Sequence, residues 1–221
     1  MVKTVRILMA SAAILLGGQS AFAACGSGTP IFEDKFTDTL GGWDPDENFR
    51  IADGAVAMVI AKGIVSYSEL NNAFLVRDAD ICVTATFPAA AVVGKTVDGK
   101  DNSVSIGIIF GALDYKNYYQ MQISADGKYG LWRKADSRWI EIIKKADSAA
   151  IKTGFGARNQ IEVEIKGGIA TLFANGQKLG ASRIQLPDGE ARFGLYAELL
   201  DKGTADVPVK FQDFIVTKPA S

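Results

Sequence analysis

The chain contains no histidine among its 221 residues. Without histidine it cannot build a Ser-His-Asp or Cys-His catalytic site, and zinc loses its commonest nitrogen ligand. Any chemistry would have to rest on carboxylates, tyrosines, lysines or a hard cation. An excess of positive charge is missing too, because 24 basic residues stand against 25 acidic ones and form no cluster. This composition argues against nucleic acid and anionic membrane surfaces as partners.

Long apolar runs are missing except near the N-terminus. Two basic residues precede an apolar stretch at 7–18, and Ala-Phe-Ala at 21–23 has the small-x-small pattern of a cleavage site. Residues 1–23 therefore predict a secretory signal peptide. The stretch is shorter than the roughly 20 residues that cross a bilayer. We expect residues 24–221 to form a single exported domain, periplasmic or extracellular.

Cysteine is scarce, and the two residues present are Cys25 and Cys82. Because export leads to an oxidising compartment, we predict an intramolecular disulfide between them. In the alternative interpretation Cys25 is the anchored cysteine of a lipoprotein, since small residues precede it. Lipoprotein signals usually have leucine where Phe22 stands, so the disulfide is preferred.

Helical periodicity of useful length is also missing. From residue 31 onward, short alternating runs are separated by turn signals such as Asp53-Gly54, Asp126-Gly127 and Asn175-Gly176. Strands at this spacing predict an all-β fold, an antiparallel β-sandwich or a β-barrel. No linker and no internal repeat interrupts the pattern, which is typical of one domain.

The clearest hairpin turns at residues 125–127. A three-residue loop, with Gly127 in a left-handed conformation, pairs Met121 with Leu131 and gathers the apolar side chains on one face. A two-residue turn would instead mix polar and apolar side chains on both faces. We therefore predict the three-residue loop.

The next turn, with Asp136-Ser137 at its tip, adds a third strand to the hairpin. Its register directs Ile140 and Ile142 into the core. The outward face of the three strands then carries polar and aromatic side chains: Tyr118, Gln120, Gln122, Trp132, Lys134, Trp139 and Glu141.

This outward face is the predicted carbohydrate-binding site. Sugar rings present apolar C–H patches bordered by hydroxyls, so flat aromatic rings beside amides and charges fit them. The alternative is that the face is only the solvated outside of a sheet, or that Trp139 is buried under a loop. The prediction is a saccharide or glycoconjugate as partner, with no catalytic residue.

Several blocks of the sequence resemble a known group of proteins. The blocks are FEDKFTDTLGGW, GIIFGALDYKNYYQMQISADGKYGLWRK, NQIEVEIKGGIATLFANGQKLG, RFGLYA and FQDFIV. Together they are similar to the secreted concanavalin A-like (laminin-G-like) jelly rolls, and within these to the 3-keto-disaccharide hydrolase domain. The resemblance implies two sheets, one of them concave, used for glycan recognition or, in some members, for glycoside cleavage.

Catalysis is the alternative function. Enzymes of this fold that hydrolyse β-glucans have a strand motif Glu-x-Asp-x-(x)-Glu, which is missing here; Glu162-Val163-Glu164 comes nearest. A glycoside hydrolase of the 3-keto-disaccharide type would have to use acids such as Glu141, Glu162 or Glu164. A third alternative is an envelope structural domain without a small ligand.

No cofactor is predicted. Asp34, Asp38 and Asp213 could gather around a structural calcium ion if the first and last strands lie side by side. Their alternative role is turn capping, because aspartate near turns accepts hydrogen bonds from backbone N–H groups. We predict no metal site from these three acids.

Overall fold

The computed structural model describes residues 28–38, 41–64, 66–72, 77–89, 104–189, 191–199 and 206–219. The regular structure in these ranges consists of β-strands, which confirms the predicted all-β class. None of these ranges holds a helix long and apolar enough to cross a membrane. The predicted signal peptide and Cys25 lie outside the described residues.

The described residues contain fourteen strands, numbered here in chain order. They are β1 (Pro30–Asp34), β2 (Phe49–Ala52), β3 (Ala55–Ile60), β4 (Ser66–Leu70), β5 (Ala79–Thr86), β6 (Val104–Asp114), β7 (Asn117–Ser124), β8 (Lys128–Ala135), β9 (Arg138–Asp147), β10 (Arg158–Lys166), β11 (Ile169–Ala174), β12 (Gln177–Arg183), β13 (Arg192–Leu199) and β14 (Val207–Thr217).

The strands form two antiparallel sheets. The larger sheet has the order β12-β11-β10-β5-β14-β3-β2, and β1 also pairs with β14. The smaller sheet has the order β4-β13-β6-β7-β8-β9. Many neighbours are distant in sequence, as in the pairs β5–β14 and β6–β13, which is the crossover pattern of a jelly roll. The predicted two-sheet sandwich is thus confirmed.

The core lies between the two sheets and is closed at one end by aromatic rings. Trp43 is buried and contacts Phe49 and Phe214, with ring centroids 5.6 and 5.5 Å apart. Its indole Nε1 donates a hydrogen bond of 2.9 Å to Asp34. This arrangement satisfies the polar end of the ring while its apolar body packs in the core.

The predicted hairpin register is confirmed. Met121 pairs with Leu131 and Ile123 with Tyr129, and Gly127 has a φ of +89°. The inward side of β8 is tied to the other sheet, because the Tyr129 hydroxyl donates a 2.7 Å hydrogen bond to the carbonyl of Leu179 in β12.

The prediction for Ile140 is wrong, although the turn that precedes it is as predicted. Asp136 and Ser137 both have positive φ, and Ala135 pairs with Arg138. Ile142 packs against the core as expected. Ile140, however, is 44% exposed. It pairs with Arg133 close to the turn, outside the part of β9 that packs on the core.

Candidate binding cleft

The outward face of the smaller sheet carries the predicted residues side by side. On the hairpin, Gln120 pairs with Trp132. On the next pair of strands, Trp132 pairs with Glu141 and Lys134 with Trp139. Since directly paired residues point to the same side of a sheet, the predicted register brings the set onto one face.

Four of the seven predicted residues meet in one cleft of about 280 Å³. The cleft is lined by Ser105, Gln120, Gln122, Trp132, Trp139, Lys145, Tyr196 and Glu198. Tyr118 and Lys134 line an adjacent groove of about 250 Å³ instead. Glu141 is exposed and lines neither. The site is therefore smaller than predicted on one side and extends to further strands on the other.

The aromatic side of the cleft is open to solvent. Trp132 is half-buried, and Trp139 is 48% exposed. The ring of Trp139 meets the buried ring of Tyr118 edge-on, with centroids 5.8 Å apart. The Lys134 ammonium lies 5.3 Å from the centroid of Tyr118 and 5.4 Å from that of Trp139. These cation–π contacts hold the Trp139 ring upright at the rim.

The floor of the cleft is made of amides. Gln120 and Gln122 are both buried, and Gln120 Nε2 donates a 2.7 Å hydrogen bond to Gln122 Oε1. Gln120 is only 2% exposed, and its Oε1 atom has no hydrogen-bond partner among the described residues. A buried acceptor without a partner costs about 1–3 kcal/mol. The floor is therefore built to receive a hydrogen bond.

Glu198 closes the polar end of the cleft. Burial raises the pKa of its carboxyl group, while the charge of Lys145 and hydrogen bonds from Gln122 and Tyr196 oppose that rise. Burial likewise raises the pKa of the Tyr196 phenol, so this hydroxyl keeps its proton as a donor. The hydrogen-bonded amides of the floor thus lead to the Glu198 carboxyl group, which accepts hydrogen bonds from Gln122 and Tyr196 and interacts with the charge of Lys145.

Four lining residues were missed by sequence reasoning: Ser105, Lys145, Tyr196 and Glu198. Lys145 had a readable signal, because it follows Glu141 by four residues and strict alternation puts both side chains on the outward face. The β8–β9 pairing changes register twice, between Tyr129 and Leu131 and between Leu131 and Trp132. Ile143 therefore pairs with Leu131 at a core-facing position, and the other shift returns Lys145 to the outward face.

The acids of the catalytic alternative do not meet at the cleft. Glu162 lies on β10 of the larger sheet and hydrogen-bonds to Asp80 on β5. Burial, the charge and hydrogen bond of Asp80 and the charge of Glu164 together raise the pKa of Glu162 to about 8. Its strand neighbours Ile161 and Val163 face the core, so Glu162 faces outward from the opposite layer.

The aspartates considered for calcium have separate partners. Asp34 accepts hydrogen bonds from the backbone N–H of Phe36 at 2.6 Å and from Trp43 Nε1. Asp213 forms an ion pair with Arg158 at 3.4 Å. Within the described ranges, no group of three or more acidic or cysteine side chains is arranged to hold a metal ion. The capping alternative accounts for Asp34.

Cys82 is fully buried on β5, where it pairs with Glu162 on one side and Ile215 on the other. Its predicted partner Cys25 lies outside the described residues, so the pairing stays a prediction.

Compared by sequence, the chain matches no protein-family model and no curated protein. Compared by structure, it is similar to the carbohydrate-binding module CBM66 of Bacillus subtilis, with a TM-score of 0.54 and 12% identity over 86% of this chain and 97% of that one. It is also similar to a β-glucanase of Bacillus licheniformis, with a TM-score of 0.56 and 10% identity over 85% and 97% of the two chains. The laminarinase catalytic domain of Thermotoga maritima MSB8 gives a TM-score of 0.59 at 9% identity over 88% and 99%.

These likenesses place the chain in the concanavalin A-like jelly-roll fold, the class that the resemblance implied. At this level of identity they establish the fold alone. The narrower expectation, a 3-keto-disaccharide hydrolase domain, stays a prediction.

Proposed function

We propose that the chain is an exported, non-catalytic domain that binds a saccharide or glycoconjugate in the cleft of the smaller sheet. One observation carries the proposal: two accessible indoles, Trp132 and Trp139, stand beside a buried amide floor whose Gln120 Oε1 lacks a partner. Indole faces stack on the C–H patches of a sugar ring, and the floor receives a hydroxyl.

Binding is favoured over hydrolysis by the acids at the cleft. Glycoside hydrolysis commonly requires two carboxyl groups, about 5–5.5 Å apart for retention and about 6.5–9.5 Å for inversion. Among the described residues that line the cleft, Glu198 is the one carboxylate. Glu162 and Glu164 lie on the larger sheet. Steady turnover of a 3-keto disaccharide or a β-glucan by the wild-type chain would contradict this part of the proposal.

Retention on a glycan array and on affinity gels tests the binding site. We expect Trp132→Ala and Trp139→Ala each to weaken retention about 10-fold, which corresponds to about 1.4 kcal/mol of lost stacking. Ile169→Ala is the matched control, because it truncates an exposed apolar side chain on the larger sheet. Unchanged retention in both tryptophan variants would show that the cleft is not the site.

Export rests on the predicted signal peptide at 1–23, and the predicted Cys25–Cys82 disulfide agrees with it. Secreted domains use such crosslinks in oxidising compartments. A rigid sheet that binds through a shallow cleft gives modest affinity at a single site, because polar groups at an open site exchange hydrogen bonds with water.

A further inference from the structure

We propose that Glu198 fixes the polarity of the cleft floor, so that Gln120 presents an acceptor and the bound unit is a neutral sugar that donates a hydroxyl hydrogen. The inference rests on the proposed saccharide binding and deepens it, since it names the chemical class of the ligand at this site.

The argument starts from what an ionised carboxylate can do. A carboxylate only accepts hydrogen bonds. Gln122 and Tyr196 both hydrogen-bond to Glu198, so Gln122 must turn its NH₂ group and Tyr196 its hydroxyl hydrogen toward that residue. The Oε1 atom of Gln122 is then left facing Gln120.

The orientation of the Gln122 amide in turn fixes the orientation of the Gln120 amide. Gln120 Nε2 donates to Gln122 Oε1 at 2.7 Å, and the Gln120 side chain also hydrogen-bonds to Tyr196. With Nε2 on the side of these two neighbours, the opposite end of the amide, Oε1, remains without a partner. Rotating the Gln120 amide by half a turn would oppose its carbonyl to that of Gln122. The carboxylate therefore dictates which end of Gln120 a ligand meets.

A simple count of the charges around the cleft would suggest an anionic ligand instead of a neutral one. Lys134 and Lys145 lie at this face and by themselves favour an anion. Lys145, however, interacts with Glu198, and Lys134 lies over two aromatic rings. A uronate or sulfate oxygen at the floor would meet two acceptors, Gln120 Oε1 and the Glu198 carboxylate. A sugar hydroxyl group at the same place would instead donate its hydrogen to Gln120 Oε1, which has no other donor among the described residues.

The groups facing Glu198 from the neighbouring strands are consistent with this arrangement. They are Ser66 on β4 and Ser105 on β6, which pair with Glu198 directly, together with Tyr196 on its own strand, Lys145 on β9, and Gln122 and Tyr118 on β7. Lys145 is the single cation among them, and the others are neutral donors. Burial raises the pKa of the Glu198 carboxyl group, whereas Lys145 and the two donors oppose that rise, and the side chain accepts hydrogen bonds from Gln122 and Tyr196.

A first experiment measures the orientation of the Gln120 side-chain amide in the absence of ligand. In NMR spectra of the wild-type chain, the Gln120 side-chain NH₂ hydrogens are expected to give NOEs to the Tyr196 ring and slow exchange with water. In Glu198→Gln, whose amide can donate as well as accept, this exchange is expected to accelerate at least about 10-fold. Glu164→Gln on the larger sheet is the matched control. Rapid exchange in wild type, or no difference between wild type and Glu198→Gln, would overturn the inference.

A second experiment tests whether the cleft prefers neutral or acidic sugars. The probes are neutral oligosaccharides (laminarin, levan and xylan fragments) and uronate-bearing ones (alginate and polygalacturonate fragments) on one array. Wild type is expected to retain neutral members at least about 10-fold better than acidic ones. Preference for uronates would overturn the inference while leaving saccharide binding intact, and retention of no glycan at all would contradict the proposed function itself.

Fluorinated sugars separate hydrogen-bond polarity from charge. Mono-deoxyfluoro derivatives of the best-retained neutral oligosaccharide keep an acceptor and lose a donor at one position each. One derivative is expected to bind wild type at least about 10-fold more weakly, with a smaller loss in Glu198→Gln. Equal binding of all derivatives to wild type would show that no hydroxyl donates to the floor.

Discussion

The indole of Trp132 lies against Gly130, two residues earlier on β8 and on the same face of the sheet. A β-carbon on Gly130 would come 2.2 Å from Cη2 of the indole and 2.6 Å from Cζ3. These distances are far inside van der Waals contact, so the ring occupies space that only glycine leaves free. Gly130 thereby sets the height of the indole above the sheet.

The first prediction follows from this contact. Gly130→Ala is expected to lift or turn the Trp132 ring and to weaken saccharide retention about 5- to 10-fold without removing any ligand-contacting group. Tryptophan fluorescence should change with it. Gly180→Ala is the matched control, because its β-carbon would meet Tyr129 at an ordinary 3.5 Å. If both variants retain glycans as wild type does, the position of the Trp132 ring does not matter for binding.

The second prediction concerns Asp34, which accepts hydrogen bonds from Phe36 N and Trp43 Nε1. Asp34→Ala leaves two buried donors unpaired, so we expect the free energy of unfolding to fall by about 2–4 kcal/mol in urea denaturation. Glu33→Ala, next to Asp34 on β1, removes an exposed ion pair with Lys35 and is expected to cost less than about 1 kcal/mol. Equal losses would mean that the Asp34 contacts carry no special weight.

The third prediction concerns the pH dependence of stability at Glu69. Its pKa is raised to about 7, chiefly by burial and also by the charges of Asp44 and Asp46, against the opposing effect of hydrogen bonds from the backbone at Asp44 and from Tyr67. The folded state therefore holds the proton more tightly than the unfolded chain, whose pKa is near 4.5. The free energy of unfolding falls as pH rises from about 4.5 to about 7 and is level outside that window as far as Glu69 is concerned.

Glu69→Gln removes this titration. We expect the variant to match wild type near pH 4 and to exceed it by about 2 kcal/mol at pH 8, allowing for solvent screening. Melting temperatures across this pH range measure the difference, with the exposed Glu47→Gln as control. A constant offset between Glu69→Gln and wild type at every pH would show that Glu69 keeps its ordinary pKa.

The fourth prediction concerns processing and the disulfide. The exported chain is expected to begin near Ala24 and to contain no titratable thiol after unfolding in denaturant, because the predicted Cys25–Cys82 disulfide would leave no cysteine free. Intact mass and thiol titration measure both properties. Cys82→Ala is expected to cost on the order of 3 kcal/mol of stability through lost loop closure. Two free thiols in the exported protein would contradict the prediction.

The hairpin half of the cleft could be predicted because its determinants are local. The alternation around Met121 and Leu131 and the glycine at 127 allow one register that keeps apolar side chains out of water. Gln120, Gln122 and Trp132 followed from that register, and Trp139 followed from the turn at Asp136-Ser137. The prediction that Ile140 is buried was wrong because alternation indicates which face a side chain takes, but not how far the opposite sheet extends to cover it.

The other half depends on pairing between distant strands. Tyr196 and Glu198 alternate with core residues on β13, but their place beside the hairpin follows from β6 lying between β13 and β7. The 56 residues 136–191 separate the hairpin from β13, a crossover that no local pattern encodes. Lys145 lies beyond the Ile142–Ile143 doublet, where two register shifts in the β8–β9 pairing turn Ile143 to the core and Lys145 back to the outward face.

The hydrogen bond from Tyr129 to the carbonyl of Leu179 has a consequence for how a ligand enters. The strand that carries Trp132 outward is fastened on its inner side to the opposing layer, so its backbone has little freedom to adapt on ligand entry. We therefore expect the proposed binding cleft to have its final shape before the ligand binds, so that little conformational entropy of the protein is lost on association. Free and complexed backbones should superpose within about 1 Å.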